Sequence, residues 1–176
     1  MYALSDDFLR ELIDPGAGCS VEYCLIGIEG SYLGERSHRE AISLAMERFL
    51  ADCEDAWQDA SRATARPVPA SRVLELPEAV LQGKSIPNPP GTLGSPIPYW
   101  YAFLCPPHGC RLTAQDFLRV NAALFPNGTK PLQAFEWSAD WSSYFEDGAE
   151  WWGTLCVSIY DESLGRFVVL MASDTD

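Results

Sequence analysis

The segment Glu136–Gly153, EWSADWSSYFEDGAEWWG, combines large aromatic groups with acids and contains no Lys or Arg. Its indoles and carboxylates are Trp137, Trp141, Trp151 and Trp152, with Glu136, Asp140, Glu146, Asp147 and Glu150. Exposed rings inside a charged rim are typical of the centres of protein interfaces. Rings seated in a core beneath a solvated acidic rim are the alternative interpretation.

The spacing of the aromatic residues predicts one shared helical face. Trp137, Trp141, Tyr144 and Phe145 stand at i, i+4, i+7 and i+8. Two functions fit such a face. It would dock a protein partner, or a carboxylate pair among Glu146, Asp147 and Glu150 would act as acid and base in glycoside cleavage.

A second group of reactive side chains is Cys105-Pro-Pro-His108-Gly-Cys110. Two thiols and one imidazole within six residues could supply three zinc ligands, completed by Cys19 and Cys24 or by distant acids. A thiolate nucleophile assisted by His108 is a variant of the same site. A turn carrying ordinary reduced thiols is the simpler interpretation, and we expect no metal or cofactor.

Two further motifs predict ordinary turns. Gly27, Gly30 and Gly34 lie between a predicted strand and a helix but match neither dinucleotide nor P-loop spacing, and flanking acids would repel phosphate. Asn127-Gly-Thr fits a glycosylation sequon, which without a secretion signal indicates a turn. His38, in the first turn of that helix, is expected at the surface.

The formal net charge of −13 is concentrated toward the C-terminal end of the chain. Residues 131–176 carry nine acids and one base, whereas residues 51–130 carry seven of each. Nucleic-acid binding is disfavoured, because phosphate contacts need clustered Lys and Arg, and an anionic membrane would repel the chain. A basic protein partner would be steered toward the acidic third.

The start of the chain, MYALSDDFLRELID, lacks the features of a signal peptide, and no apolar run approaches a membrane span. We therefore expect a cytoplasmic protein whose cysteines are reduced. These are Cys19, Cys24, Cys53, Cys105, Cys110 and Cys156.

Hydrophobic periodicity and capping signals predict the elements that position these residues. A short helix follows Ser5, Ser37–Glu40 reads as a capping box opening a helix over 38–61, and Thr113 caps a helix over 114–125. Arg72–Leu76 could form a short strand, and 83–98 is a Pro/Gly-rich loop and candidate lid. The predicted sheet strands are Val21–Ile28, Tyr99–Leu104, Leu132–Trp137, Thr154–Tyr160 and Arg166–Ala172, the last of them central.

These elements predict a single α+β domain over 1–176, with a mixed or antiparallel sheet of about five or six strands covered by two or three helices. The expected function is a non-enzymatic acidic module that docks a basic protein; the alternative is a carboxylate-based hydrolase acting on a glycan-like substrate. The chain resembles small acidic bacterial inhibitors and toxin-neutralising immunity proteins in composition only. The predicted partner surface comprises Trp137, Asp140, Trp141, Tyr144, Glu146, Asp147, Glu150, Trp151 and Trp152.

Overall fold

The computed structural model of the chain describes residues 1–83 and 96–174. The strands are β1 (Tyr2–Ala3), β2 (Glu22–Gly27), β3 (Ala65–Val68), β4 (Leu132–Trp137), β5 (Thr154–Asp161) and β6 (Arg166–Ser173). The helices are α1 (Asp7–Leu12), α2 (Glu35–Phe49), α3 (Ala70–Val73), α4 (Glu78–Leu81), α5 (Tyr99–Leu104), α6 (Ala114–Leu124) and α7 (Glu146–Trp151). The predicted loop 83–98 falls largely outside the described residues.

The strands form one antiparallel sheet in the order β1-β2-β6-β5-β4-β3, which confirms the predicted α+β class. The neighbours β5 and β6 form the centre of the sheet, and their hairpin pairs Asp161 with Arg166. All eight residues of β5 are buried. The six inner residues of β6 are buried as well, and burial on both faces explains why this strand reads as a continuous apolar run rather than an alternating one.

Two hydrophobic layers lie on opposite faces of the sheet. On β5, Leu155, Val157 and Ile159 point into the layer formed with α5 and α6. Cys156 and Tyr160 point into the opposite layer, against α2. This alternation follows from the two-residue period of a strand. None of the helices among the described residues is both long enough and apolar enough to cross a membrane.

The predicted strand Tyr99–Leu104 is wrong, because these residues form helix α5. The amides of Tyr101 and Ala102 donate to the carbonyl of Pro98 at 3.0 Å and begin the helix. The rings of Tyr99 and Phe103, four positions apart, then pack edge to face with centroids 6.2 Å apart. A six-residue apolar run fits either a buried strand or a buried helix, so periodicity alone cannot separate them.

The long helix is shorter than predicted, since α2 ends at Phe49 rather than near residue 61. Its apolar stripe has nothing to cover beyond that point: Cys53 is exposed and Trp57 is 41% exposed. The predicted Ser37–Glu40 capping box is also wrong, because α2 begins after Gly34. Similarly, the expected strand at Arg72–Leu76 is replaced by α3 and the residues that follow it.

Thr113 caps α6 as predicted, and Asp116 completes a capping box. The Thr113 side chain accepts from the Asp116 amide, while the Asp116 carboxylate accepts from the Thr113 amide at 2.9 Å. This arrangement satisfies two amides that a helix start leaves without partners. The predicted end of the helix is correct to within one residue.

Candidate functional site

The predicted helical face of four aromatic residues is wrong, because the chain changes structure between them. Trp137 is the last residue of β4, and Ser143–Phe145 form a 3-10 turn before α7. Trp137, Trp141 and Phe145 are all at most 4% exposed. The Trp137 indole donates to the Ser158 hydroxyl at 2.8 Å, and the Trp141 indole donates to the Ser138 carbonyl at 2.8 Å. These rings are core residues with satisfied N–H groups.

The remaining aromatic side chains of the segment divide between packing and exposure. Trp152 is half-buried and its indole donates to the Cys105 carbonyl at 3.0 Å. Tyr144 stacks on Phe49 with ring centroids 6.1 Å apart. Trp151, in contrast, is 67% exposed. Within the predicted partner surface, Trp151 is therefore the ring available to a partner.

The acids of the segment lie mainly in solvent. Asp140, Glu146, Asp147 and Glu150 are exposed, and the last three belong to α7. The Ser138 hydroxyl donates to the Asp140 carboxylate at 2.6 Å and lowers the pKa of Asp140. Glu136 differs because it is half-buried and forms an ion pair with Arg66.

A second acidic segment, residues 50–59, lies beside this one and was not predicted as part of the site. Its acids Asp52, Glu54, Asp55 and Asp59 are all exposed. The first segment contacts it on both sides. Phe49, the residue just before it, packs on Tyr144. Near its other end, the Trp57 amide donates to the Ser143 hydroxyl and the Ser143 amide donates to the Trp57 carbonyl, both at 3.0 Å.

The indole of Trp57 joins the two segments directly by donating to the Glu146 carboxylate at 3.3 Å. We call the combined feature the acidic surface. It consists of Asp52, Glu54, Asp55, Trp57, Asp59, Asp140, Glu146, Asp147, Glu150 and Trp151. Each segment contributes four exposed carboxylates and neither contains Lys or Arg. Arg62 borders it, with its guanidinium 5.4 Å from the Trp57 ring.

The Cys–His group does not assemble into a metal centre. His108 instead contacts the Asp174 carboxylate at 3.1 Å, and the Cys110 thiol donates to the Leu104 carbonyl at 3.2 Å. Within the described ranges, no group of three His, Cys, Asp or Glu side chains is placed to hold a metal ion. Burial raises the pKa of Cys105 to about 11, so its thiol is protonated at neutral pH and is a poor nucleophile.

His38 is fully buried, which contradicts its expected surface position. It lies four residues before Ile42 on the face of α2 that covers the sheet. Its Nδ1 lies 2.8 Å from the Ser158 hydroxyl, and its Nε2 lies 3.0 Å from the Tyr32 hydroxyl. Extending the apolar stripe of α2 back by one helical step would have predicted this burial.

The hydrogen-bond partners determine where the His38 proton resides. The Tyr32 hydroxyl donates its one proton to Gln133 at 3.0 Å, so it accepts from His38 Nε2. With the proton of the neutral imidazole on Nε2, His38 Nδ1 accepts from the Ser158 hydroxyl, which itself accepts from the Trp137 indole. Every polar group in this chain of side chains is thereby satisfied.

This Ser–His pair resembles a nucleophile with its base, but Ser158 and His38 are both 0% exposed. No substrate atom can reach the Ser158 hydroxyl in this arrangement. Burial also lowers the pKa of His38 to about 3, which holds the imidazole neutral. The network therefore acts as a structural link between α2 and the sheet.

A cavity of about 430 Å³ opens beside the point where β4 and β5 separate. The glycosidase hypothesis requires two carboxylates facing one substrate. Among the described lining residues the single carboxylate is Glu136, which Arg66 neutralises. Glu146, Asp147 and Glu150 lie instead on the exposed helix α7. Within the described residues, the carboxylate pair predicted among these three acids therefore does not face this cavity.

Neither known protein families, nor curated proteins, nor solved structures match this chain. Its fold places it in the α+β class: over residues 1–83 and 96–174, six strands form one antiparallel sheet with helices on both faces. Any function assigned to it must come from its own geometry.

Proposed function

We propose that this chain is a non-enzymatic binding protein that docks a basic protein partner through the acidic surface. The hydrogen bond from Trp57 to Glu146 is the observation that supports it most directly. It brings together two acidic segments that are distant in sequence, so eight exposed carboxylates surround two exposed indoles. Inhibitor and immunity-type proteins would use such a surface to cover a cationic site.

The carboxylates and the indoles would have different roles in this complex. Exposed ion pairs contribute only about 0–1 kcal/mol each, but a field of one sign accelerates encounter with a basic protein. The exposed two-thirds of Trp151 amounts to roughly 150 Å² of largely apolar area. Burying it would contribute about 4 kcal/mol at ~25 cal/mol per Å². Charge would therefore determine the association rate, and Trp151 the lifetime of the complex.

The first experiment is capture of partners from the host lysate on the tagged protein at low salt, followed by elution with rising salt. We expect a stoichiometric basic protein that is released as salt screens the surface. A column that retains no such protein would contradict the proposal.

Variants then locate the interface. Asp147→Lys with Glu150→Lys should slow association with the captured protein at least tenfold at low salt and flatten its salt dependence. The matched control is Glu11→Lys with Glu162→Lys, which changes the net charge equally at exposed acids outside the acidic surface. Equal slowing by both pairs would mean that net charge, rather than this surface, attracts the partner.

A separate variant tests the aromatic anchor. Trp151→Ala should leave the association rate within about twofold and raise the dissociation rate roughly 500- to 1,000-fold, as a loss of about 4 kcal/mol requires. Unchanged dissociation would exclude Trp151 as the anchor.

A further inference from the structure

The cavity beside β4 and β5 has a defined origin in the sheet. Pairing of these strands ends at Glu136 and Val157, so their continuations separate. On the β5 side, Pro96 forms a parallel bridge with Thr154, and the Ile97 amide donates to the Thr154 carbonyl at 2.9 Å. The space between the separated strands is the cavity. Its volume of about 430 Å³ lies within the usual range of ligand pockets, ~300–1,000 Å³.

The described lining of the cavity carries a net positive charge, opposite in sign to the net charge of the whole chain. Arg66 and Arg72 both line it, in a chain whose net charge is −13. Arg66 is neutralised by Glu136, whereas the exposed side chain of Arg72 forms no ion pair or hydrogen bond with the described residues. The described lining therefore retains one positive charge, carried by a guanidinium whose donors are available.

The uncharged lining provides both apolar area and a hydroxyl. Ile97, Tyr99 and Val157 contribute buried apolar walls. Thr154 is 3% exposed and lines the cavity, where its hydroxyl can donate to or accept from a ligand oxygen.

We propose that this cavity binds a small monocarboxylate with an apolar body about the size of a bicyclic aromatic ring. Arg72 binds the carboxylate through the paired N–H groups of its planar guanidinium. The Thr154 hydroxyl donates to the ligand, and the apolar walls enclose its body. The single unpaired positive charge selects a monoanion, because a phosphate dianion would carry excess charge into a partly apolar site. This site is distinct from the acidic surface.

The test is calorimetric titration of the full chain at pH 7 with naphthalene-2-carboxylate and, separately, with naphthalene-2-carboxamide. The two probes share one body and differ in charge. We expect the carboxylate to bind at least tenfold more tightly than the amide. Absence of binding by the carboxylate at millimolar concentration, or equal affinity for both probes, would overturn the proposal.

Arg72→Met removes the charge while keeping a long apolar side chain, and Arg72 has no partner among the described residues whose loss would affect folding. It should abolish the preference for the carboxylate and leave amide binding unchanged. The control Arg10→Met removes an exposed arginine of α1 and should preserve the preference. A preference that survives Arg72→Met, or that Arg10→Met removes equally, would also overturn the assignment.

Discussion

Acidification should destabilise this protein through His38. The pKa of the imidazole is 6.5 in an unfolded chain and about 3 in the folded protein, where burial opposes its charged form. As pH falls below 6.5, the unfolded chain takes up a proton that the folded protein cannot. The stability contributed by the neutral imidazole is therefore complete above pH 6.5 and is lost progressively toward pH 3.

The expected size of this effect is measurable. Each unit of pKa difference corresponds to about 1.36 kcal/mol. Integrating proton uptake from pH 7 to pH 4 gives a loss of about 3 kcal/mol from His38 alone. Since small proteins are stable by only about 5–15 kcal/mol, this loss is a large fraction of the total.

The assay is urea unfolding at pH 4, 5, 6 and 7 of the natural protein and of His38→Asn. The asparagine oxygen replaces Nδ1 as the acceptor for Ser158 but does not titrate. The variant should be less stable at pH 7, and its stability should fall about 3 kcal/mol less than that of the natural protein by pH 4. His108→Gln removes the other, exposed imidazole and should retain the His38 contribution.

A constant stability difference between the natural protein and His38→Asn across this range would refute the reasoning. A second measurement does not depend on the folding of any variant. NMR of the natural protein should show the His38 imidazole still neutral at pH 4.5, protonated at Nε2 and not at Nδ1. A charged His38 at that pH would refute the burial argument directly.

Three further predictions test the exposure of Cys53, the packing around Gly148 and the cap of α6. Cys53 is the exposed cysteine of the six, so a thiol reagent at pH 7.5 should modify it first, and Cys53→Ser should remove that fast phase. Gly148→Ala should cost about 1–3 kcal/mol in urea unfolding, because the new methyl would lie 2.7 Å from the Gly153 carbonyl; Gly16→Ala, which meets only the Arg111 and Asp14 side chains, should cost less. Thr113→Ala should cost about 1 kcal/mol through the α6 cap, and Thr129→Ala almost nothing; equal losses would contradict the capping assignment.

Hydrophobic periodicity and capping residues within one element were sufficient to predict the elements in which these patterns are clear. β4 has the predicted bounds, β5 and β6 differ from prediction by one residue, and the cap of α6 is correct. The signals failed where tertiary contacts decide the outcome. The run at 99–104 is apolar enough for either structure, and α2 ends where the sheet no longer offers a surface to cover.

The candidate site was predicted only in part, for a related reason. Residue types identified the acidic segment 136–153, but burial of Trp137 and Trp141 depends on the layer beneath α2. The contact between Trp57 and Glu146 joins residues 89 positions apart, and no periodicity within one segment reports it. The predicted surface position of His38 is wrong for a different reason, because the apolar stripe of α2, extended back by one helical step, already indicated burial.

The two outer strands determine how this sheet ends. β1 has two residues, and β3 has four, of which Pro67 lacks an N–H and Arg66 is an exposed cation. An incoming strand from another molecule needs a regular row of donors and acceptors, and short edges containing proline and charge do not provide one. The apolar central strands β5 and β6 thus lie behind edges that resist aggregation, which allows the chain to combine a strongly hydrophobic sheet with an independent, highly charged surface.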